Sequence, residues 1–169
     1  MAVLNASSLR YFFMYKLLWL LIFFASPILA ELEEARDLME SGKYTQAYQE
    51  LWPAARSGNA EAEELIGVMY AMGLGVVKDD QRAFEWYLRS AMKGHPGAQS
   101  GVGWYYEVGR GLPAIDLVRA YMWYTLSAIG GDPDAAISLE EVVKKMSGDE
   151  IEKAHRLIED YKVWLYPLR

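Results

Sequence analysis

The chain has 169 residues, a net charge of −6, 53% apolar residues and 14% aromatic ones. That apolar content excludes a disordered chain. The acidic balance argues against nucleic acid, whose phosphates need lysine and arginine, and against electrostatic adhesion to anionic lipid. There is no cysteine, which removes disulfide frameworks, thiolate metal sites and cysteine nucleophiles.

Residues 1–30 read as a secretory signal peptide. Arg10 and Lys16 are the only charges there; an apolar run from Leu17 to Phe24 follows, then Pro27, then Ala30 ahead of the acidic Glu31. A basic start, a short apolar core, a helix breaker and a small residue at the cut mark such a leader. The stretch from Leu17 to Leu29 is 13 residues, short against the ~20 of a spanning helix. Cleavage after Ala30 is therefore expected, with a retained inner-membrane anchor as the alternative. Loss of those two cations takes the net charge from −6 to −8. The mature chain is expected in the periplasm or outside the cell.

From Glu31 the sequence reads as helix pairs. A first, degenerate pair spans 31–58, with Gly42, Tyr44 and Ala47 leading to Ala55 and Gly58. The next two pairs say one thing twice. Ala62, Ile66, Gly67, Tyr70, Gly73 and Gly75 recur as Ala98, Val102, Gly103, Tyr106, Gly109 and Gly111; Ala83, Trp86 and Tyr87 recur as Ala120, Trp123 and Tyr124. Gly73 and Gly109 lie 36 residues apart, but Trp86 and Trp123 lie 37 apart, so the second copy has one residue inserted between Gly111 and Asp116. A period of roughly 20–50 residues is the mark of stacked repeats. Asn59-Ala60, His95-Pro96 and Asp132-Pro133 each follow a glycine. Asn and Asp suit an N-cap, proline suits the first helical turn, and glycine suits the end of the helix before. Asp79 and Asp116 are expected to open the second helices, and Ser147-Gly-Asp-Glu150 forms a capping box for the last one. Gly67 and Gly103 sit inside helices, where glycine costs about 1 kcal/mol relative to alanine; their shared phase predicts a close approach by a neighbouring helix.

The pattern Ala-x-x-x-Ile/Val-Gly-x-x-Tyr-x-x-Gly-x-Gly, followed by Ala-x-x-Trp-Tyr-x-x-x-Ala-x-x-Gly, resembles the Sel-1-like repeat, a relative of the tetratricopeptide repeat. The match is strong over 62–94 and 98–131, at nearly every signature position, and partial in the first pair. Over 135–165 it resembles a C-terminal cap. The resemblance implies an all-α, right-handed α-solenoid of about four helix-turn-helix pairs following the leader. It also implies a non-enzymatic surface that binds another protein or an extended peptide. Bacterial relatives are often exported adaptors or regulators. Some exported members are linked to penicillin binding, but those are cysteine-rich, so an envelope hydrolase is the weaker alternative to a membrane-anchored assembly factor.

Chemistry-bearing motifs are sparse. Gly73-Leu-Gly75 and Gly109-Arg-Gly111 follow a helix, whereas a phosphate loop precedes one. His95 stands where Asn59 and Asp132 stand elsewhere and reads as a cap, while His155 is expected to be partly exposed. Acidic doublets such as Glu63-Glu64 are expected to be solvated faces or cap charges. No catalytic residue, cofactor site or metal site is assigned. The remaining candidates are open positions on the first helix of each pair, which in tetratricopeptide-like stacks line the concave face. They are Val68 and Met69 in one copy, Trp104 and Tyr105 in the other. Tryptophan and tyrosine supply much of the energy at protein interfaces; packing against the neighbouring pair is the alternative for Met69, Trp104 and Tyr105.

Overall fold

The computed structural model describes the backbone of residues 27–165 and the side chains of 30–161. The leader assigned to 1–30 lies almost wholly outside the described residues. Among them there are eight helices and no strand: α1 (Pro27–Glu40), α2 (Tyr44–Ser57), α3 (Ala60–Met72), α4 (Asp80–Ala91), α5 (Pro96–Val108), α6 (Leu117–Gly130), α7 (Ala135–Val143) and α8 (Gly148–Leu165). Consecutive helices pack on one another from α1 to α7, most closely α3 on α4 and α5 on α6. The result is a helical α-solenoid.

The helix boundaries have local causes. Asn59 Oδ1 accepts from Ala62 N–H at 2.9 Å, and His95 Nδ1 accepts from Ala98 N–H at 3.3 Å. Asp79 and Asp116 cap α4 and α6, accepting from Arg82 and Arg119 N–H at 3.0 and 2.9 Å. At α8 the capping box closes both ways: Glu150 N–H donates to Ser147 Oγ, and Ser147 N–H donates to Glu150 Oε2. Gly58, Gly73, Gly109 and Gly131 end their helices in the left-handed conformation.

Asp132 departs from the expected pattern. Its carboxylate accepts from the Ser127 hydroxyl at 2.8 Å and from Asp134 N–H at 3.0 Å. The side chain thus closes a turn over 132–134, and α7 starts only at Ala135, without a side-chain cap.

The repeated residues are where the helices meet. A Cβ on Gly67 would lie 3.1 Å from the Tyr87 ring, and one on Gly103 would lie 2.8 Å from the Tyr124 ring. The interior glycines therefore make room for the tyrosine of the following helix, at the same phase in both copies. Ala62, Ala83, Ala91, Ala98 and Ala120 are fully buried. Gly75 and Gly111 press the loop of each pair onto the start of the preceding second helix. A Cβ there would come within 2.6 Å of the Tyr44 backbone or 2.9 Å of the Asp80 backbone. The one-residue insertion after Gly111 leaves this contact in place.

The C-terminal end breaks the stacking rule. Helix α8 packs along α6 instead of folding back on α7. Ile158 is buried in the cluster around Trp123 and Leu126, with Leu157 and Tyr161 packed against it. The Tyr161 and Trp123 rings meet edge to face at 5.5 Å.

Candidate protein-binding surface

The four candidate residues fall into two environments. Met69 is fully buried and Tyr105 is 1% exposed, whereas Trp104 is 40% exposed and Val68 is half-buried. A helix turns about 100° per residue, so neighbours in sequence point into the stack and out of it. Tyr105 packs edge-on against Phe84 at 5.9 Å and lies 6.0 Å from Tyr87. Its hydroxyl donates to Asp80 at 3.4 Å. Burial, then the Asp80 charge, push the phenol up to about 12. Tyr105 and Met69 thus take the packing role named as their alternative, and a partner cannot reach either without opening the stack.

Trp104 stands differently. Val108, one turn on, is 39% exposed, and Arg110 lies over the indole at 5.8 Å. The equivalent pair on α3, 36 residues earlier, is Val68 and Met72, and Met72 is 67% exposed. The first helices of both repeats therefore present apolar side chains at i and i+4 toward solvent. Met72 and Val108 went unremarked in the sequence. The signal for them is the four-residue spacing from Val68 and Trp104 on a helix.

The ionisable groups are arranged for packing. Glu63, expected on a solvated face, is fully buried; its carboxylate accepts from Arg89 at 3.2 Å and from Lys93. Gln99 takes the same position in the next copy, donating to Ala91 C=O at 3.3 Å. Glu64 is half-buried, and desolvation, opposed by Arg36, raises its carboxyl to about 7. This doublet is thus a correction to the solvated-face expectation, because α3 is covered by neighbours on both sides. Burial lowers the His95 imidazole below its ordinary range, consistent with its acceptor role at the cap. His155 is exposed and bonds Tyr121 Oη at 3.1 Å. No group of three potential metal ligands occurs among the described residues. None of the described helices is long and apolar enough to cross a membrane. The paired glycines lie at helix C-termini, where the dipole is negative and disfavours phosphate.

Comparison with known proteins agrees with this architecture. The Sel1 repeat model matches residues 60–95 and 96–132. The ERAD-associated E3 ubiquitin-protein ligase components HRD3A and HRD3B of Arabidopsis thaliana are each 34% identical over 71 residues, 42% of this chain. That stretch is only 10% and 12% of those proteins, so the chain is matched to a small part of its curated relatives. Among solved structures, c5321, described as a protective antigen of uropathogenic Escherichia coli displaying an SLR fold, superposes with a TM-score of 0.78 at 22% identity. The superposition covers 85% of this chain and 31% of that one. A Sel1 repeat protein from Oxalobacter formigenes gives 0.63 at 27% identity, covering 77% and 55%. Sel1 repeats generally form non-catalytic scaffolds for protein–protein contacts. Residues 60–132 are thus two Sel1 repeats in register, set in a solenoid fold shared with proteins of the SLR fold.

Proposed function

We propose that this chain is an exported, non-enzymatic adaptor that holds a protein or extended peptide partner on the face carrying Trp104. The observation that supports this reading most is the exposure of a tryptophan, 40% accessible, beside Val108 and under Arg110. A large, partly open aromatic with a cation over its ring suits an interface anchor. Pull-down from an envelope fraction with the wild-type chain and with Trp104→Ala tests it. The expected result is loss of the captured partner with helicity and melting temperature retained. Retained capture refutes the assignment of the face, and loss of fold together with capture returns Trp104 to the core.

The anchored reading is supported by one observation. Helix α1 runs unbroken from Pro27 through Ala30 and Glu31 to Glu40, so the expected cut falls inside a helix. N-terminal sequencing of the exported protein separates the two readings. A start at Glu31 establishes cleavage, and it leaves the buried Leu32 and Ala35 to dock the shortened helix. A blocked or original N-terminus establishes the anchor.

A further inference from the structure

The two repeats each form a groove on the side of the stack away from Trp104. In the first, Trp52 of α2, Tyr70 of α3 and Trp86 of α4 line a cleft of about 220 Å³ rimmed by Arg82, Glu85 and Arg89. Tyr70 and Val68 are two residues apart on α3, so they project about 200° from each other. This groove and the exposed apolar positions of α3 and α5 therefore occupy different faces.

The second copy of the groove has the same construction. Tyr106, Arg119 and Trp123 take the places of Tyr70, Arg82 and Trp86. The arginine lies over the tyrosine ring at 5.7 Å in both copies. Each arginine also pairs with the aspartate that caps its helix. What differs is the cover. In the second copy α8 lies across the groove with Leu157, Ile158 and Tyr161, and Trp123 is 1% exposed. In the first copy no described helix takes that place, and Trp86 is only half-buried, shielded by Arg89 at 4.4 Å. The rim follows the cover: Met122 and Leu126, both buried under α8, stand where Glu85 and Arg89 stand in the open copy. Arg82 and Arg89 keep 62% and 51% of their side-chain surface exposed.

We infer that the open groove receives one amphipathic helix of a partner protein, seated as α8 is seated one repeat later. That helix would present a leucine or isoleucine and an aromatic residue about one turn apart to Trp52 and Trp86, with carboxylates on its flank toward Arg82 and Arg89. The aromatic floor supplies the apolar contact that α8 finds on Trp123. Arg82 and Arg89 stay paired with Asp79 and Glu63, and the N–H donors they keep exposed beside Glu85 favour acidic flanks over basic ones.

A synthetic peptide of residues 147–165 serves as probe, because it carries Leu157, Ile158 and Tyr161 beside Glu159 and Asp160. It is titrated into the protein labelled with 5-fluorotryptophan and followed by fluorine NMR. The expected result is movement of the Trp52 and Trp86 resonances with Trp104 and Trp123 unmoved. Arg82→Glu, at an exposed position, is expected to weaken binding about tenfold or more, and a peptide with Leu157→Ala and Tyr161→Ala is expected not to bind. Four results overturn the inference: no movement of Trp52 or Trp86 at about 1 mM peptide, movement of Trp123 through displacement of α8, movement of Trp104, or unchanged affinity in a folded Arg82→Glu. Because Trp104 is read separately, failure here leaves the Trp104 face standing, and failure there leaves this groove standing.

Discussion

Glu64 makes the stability of this solenoid depend on pH in a direction unusual for a carboxylate. It sits on α3, where a Cβ on Gly97 of α5 would lie 3.7 Å from its carboxylate oxygen. Burial lifts the group from its ordinary 4.5 to about 7, and the Arg36 charge only partly opposes this. A carboxyl whose folded-state value is raised contributes stability that is fully present below the unfolded value. That stability is lost as the pH rises through the folded one. The window is therefore about pH 4.5 to 7. Each tenfold change in proton affinity is worth about 1.4 kcal/mol. A sealed site would thus lose about 3 kcal/mol across the window, and residual solvent contact at Glu64 reduces that to about 1–2 kcal/mol. Glu64→Gln keeps the shape and cannot ionise. It is expected to match the wild type near pH 4.5 and to exceed it by about 1–2 kcal/mol at pH 8. Urea unfolding of both proteins across that range measures the difference, and other titrating groups cancel in the comparison. A difference independent of pH, or a variant less stable at pH 8 than at pH 5 relative to wild type, would refute the argument.

The other predictions concern caps and close contacts. The neutral His95 imidazole accepts from Ala98 N–H, and its lowered folded-state value has the opposite sign. Its contribution is present above the ordinary histidine value and lost as the pH falls through the folded one. His95→Asn, which copies Asn59, is expected to flatten the loss of stability on the acid side of neutrality, while His95→Ala is expected to cost about 1 kcal/mol at pH 8. The same urea series reads both. Gly75→Ala places a Cβ 2.6 Å from backbone at a φ of +70° and is expected to cost more than about 2 kcal/mol. Gly131→Ala, also at positive φ but with open space around it, is expected to cost about 1 kcal/mol. Equal melting temperatures for these two variants would show that the loop contact at Tyr44 is not structural.

Much of the fold was legible because the sequence repeats, and a repeat is its own control. Gly67 and Gly103 fall at one phase, and each faces the tyrosine that its copy supplies twenty or twenty-one residues later. Two unrelated glycines would have carried no such information. Asp132 was not legible, because its fate depends on Ser127, a residue five positions earlier that competes for its carboxylate. The seating of α8 on α6 was hidden for a similar reason. The capping box fixes where the helix starts, but its direction depends on which apolar surface it finds, and Trp123 is larger than anything α7 offers. At the candidate site the sequence narrowed the choice to two adjacent pairs. Only the helix phase separates exposed Trp104 from buried Tyr105. The irregular aromatic content of α5, with Trp104, Tyr105 and Tyr106 in succession, gives that phase no sequence signature.

Differences between the copies have two causes, and the structure separates them. Glu63 against Gln99 is a packing difference: both side chains are buried, and each answers to α4 and the turn after it, Arg89 and Lys93 in one case and the Ala91 carbonyl in the other. Glu85 and Arg89 against Met122 and Leu126 follow the presence of α8. A position covered by a helix of the same chain becomes apolar, and one facing water keeps its charge. Trp104 against Val68 belongs to neither class. The second copy places a 40% exposed tryptophan where the first has a half-buried valine. A tryptophan with that much surface facing water adds little to the core, which is why the proposed partner face is placed on it. Trp86 is half-covered by Arg89, which is also ion-paired with the buried Glu63, so a helix seated there must leave that pair in place. The two surfaces therefore differ in kind: Trp104 stands exposed, and the Trp86 groove is partly covered by a charged side chain tied to a buried carboxylate.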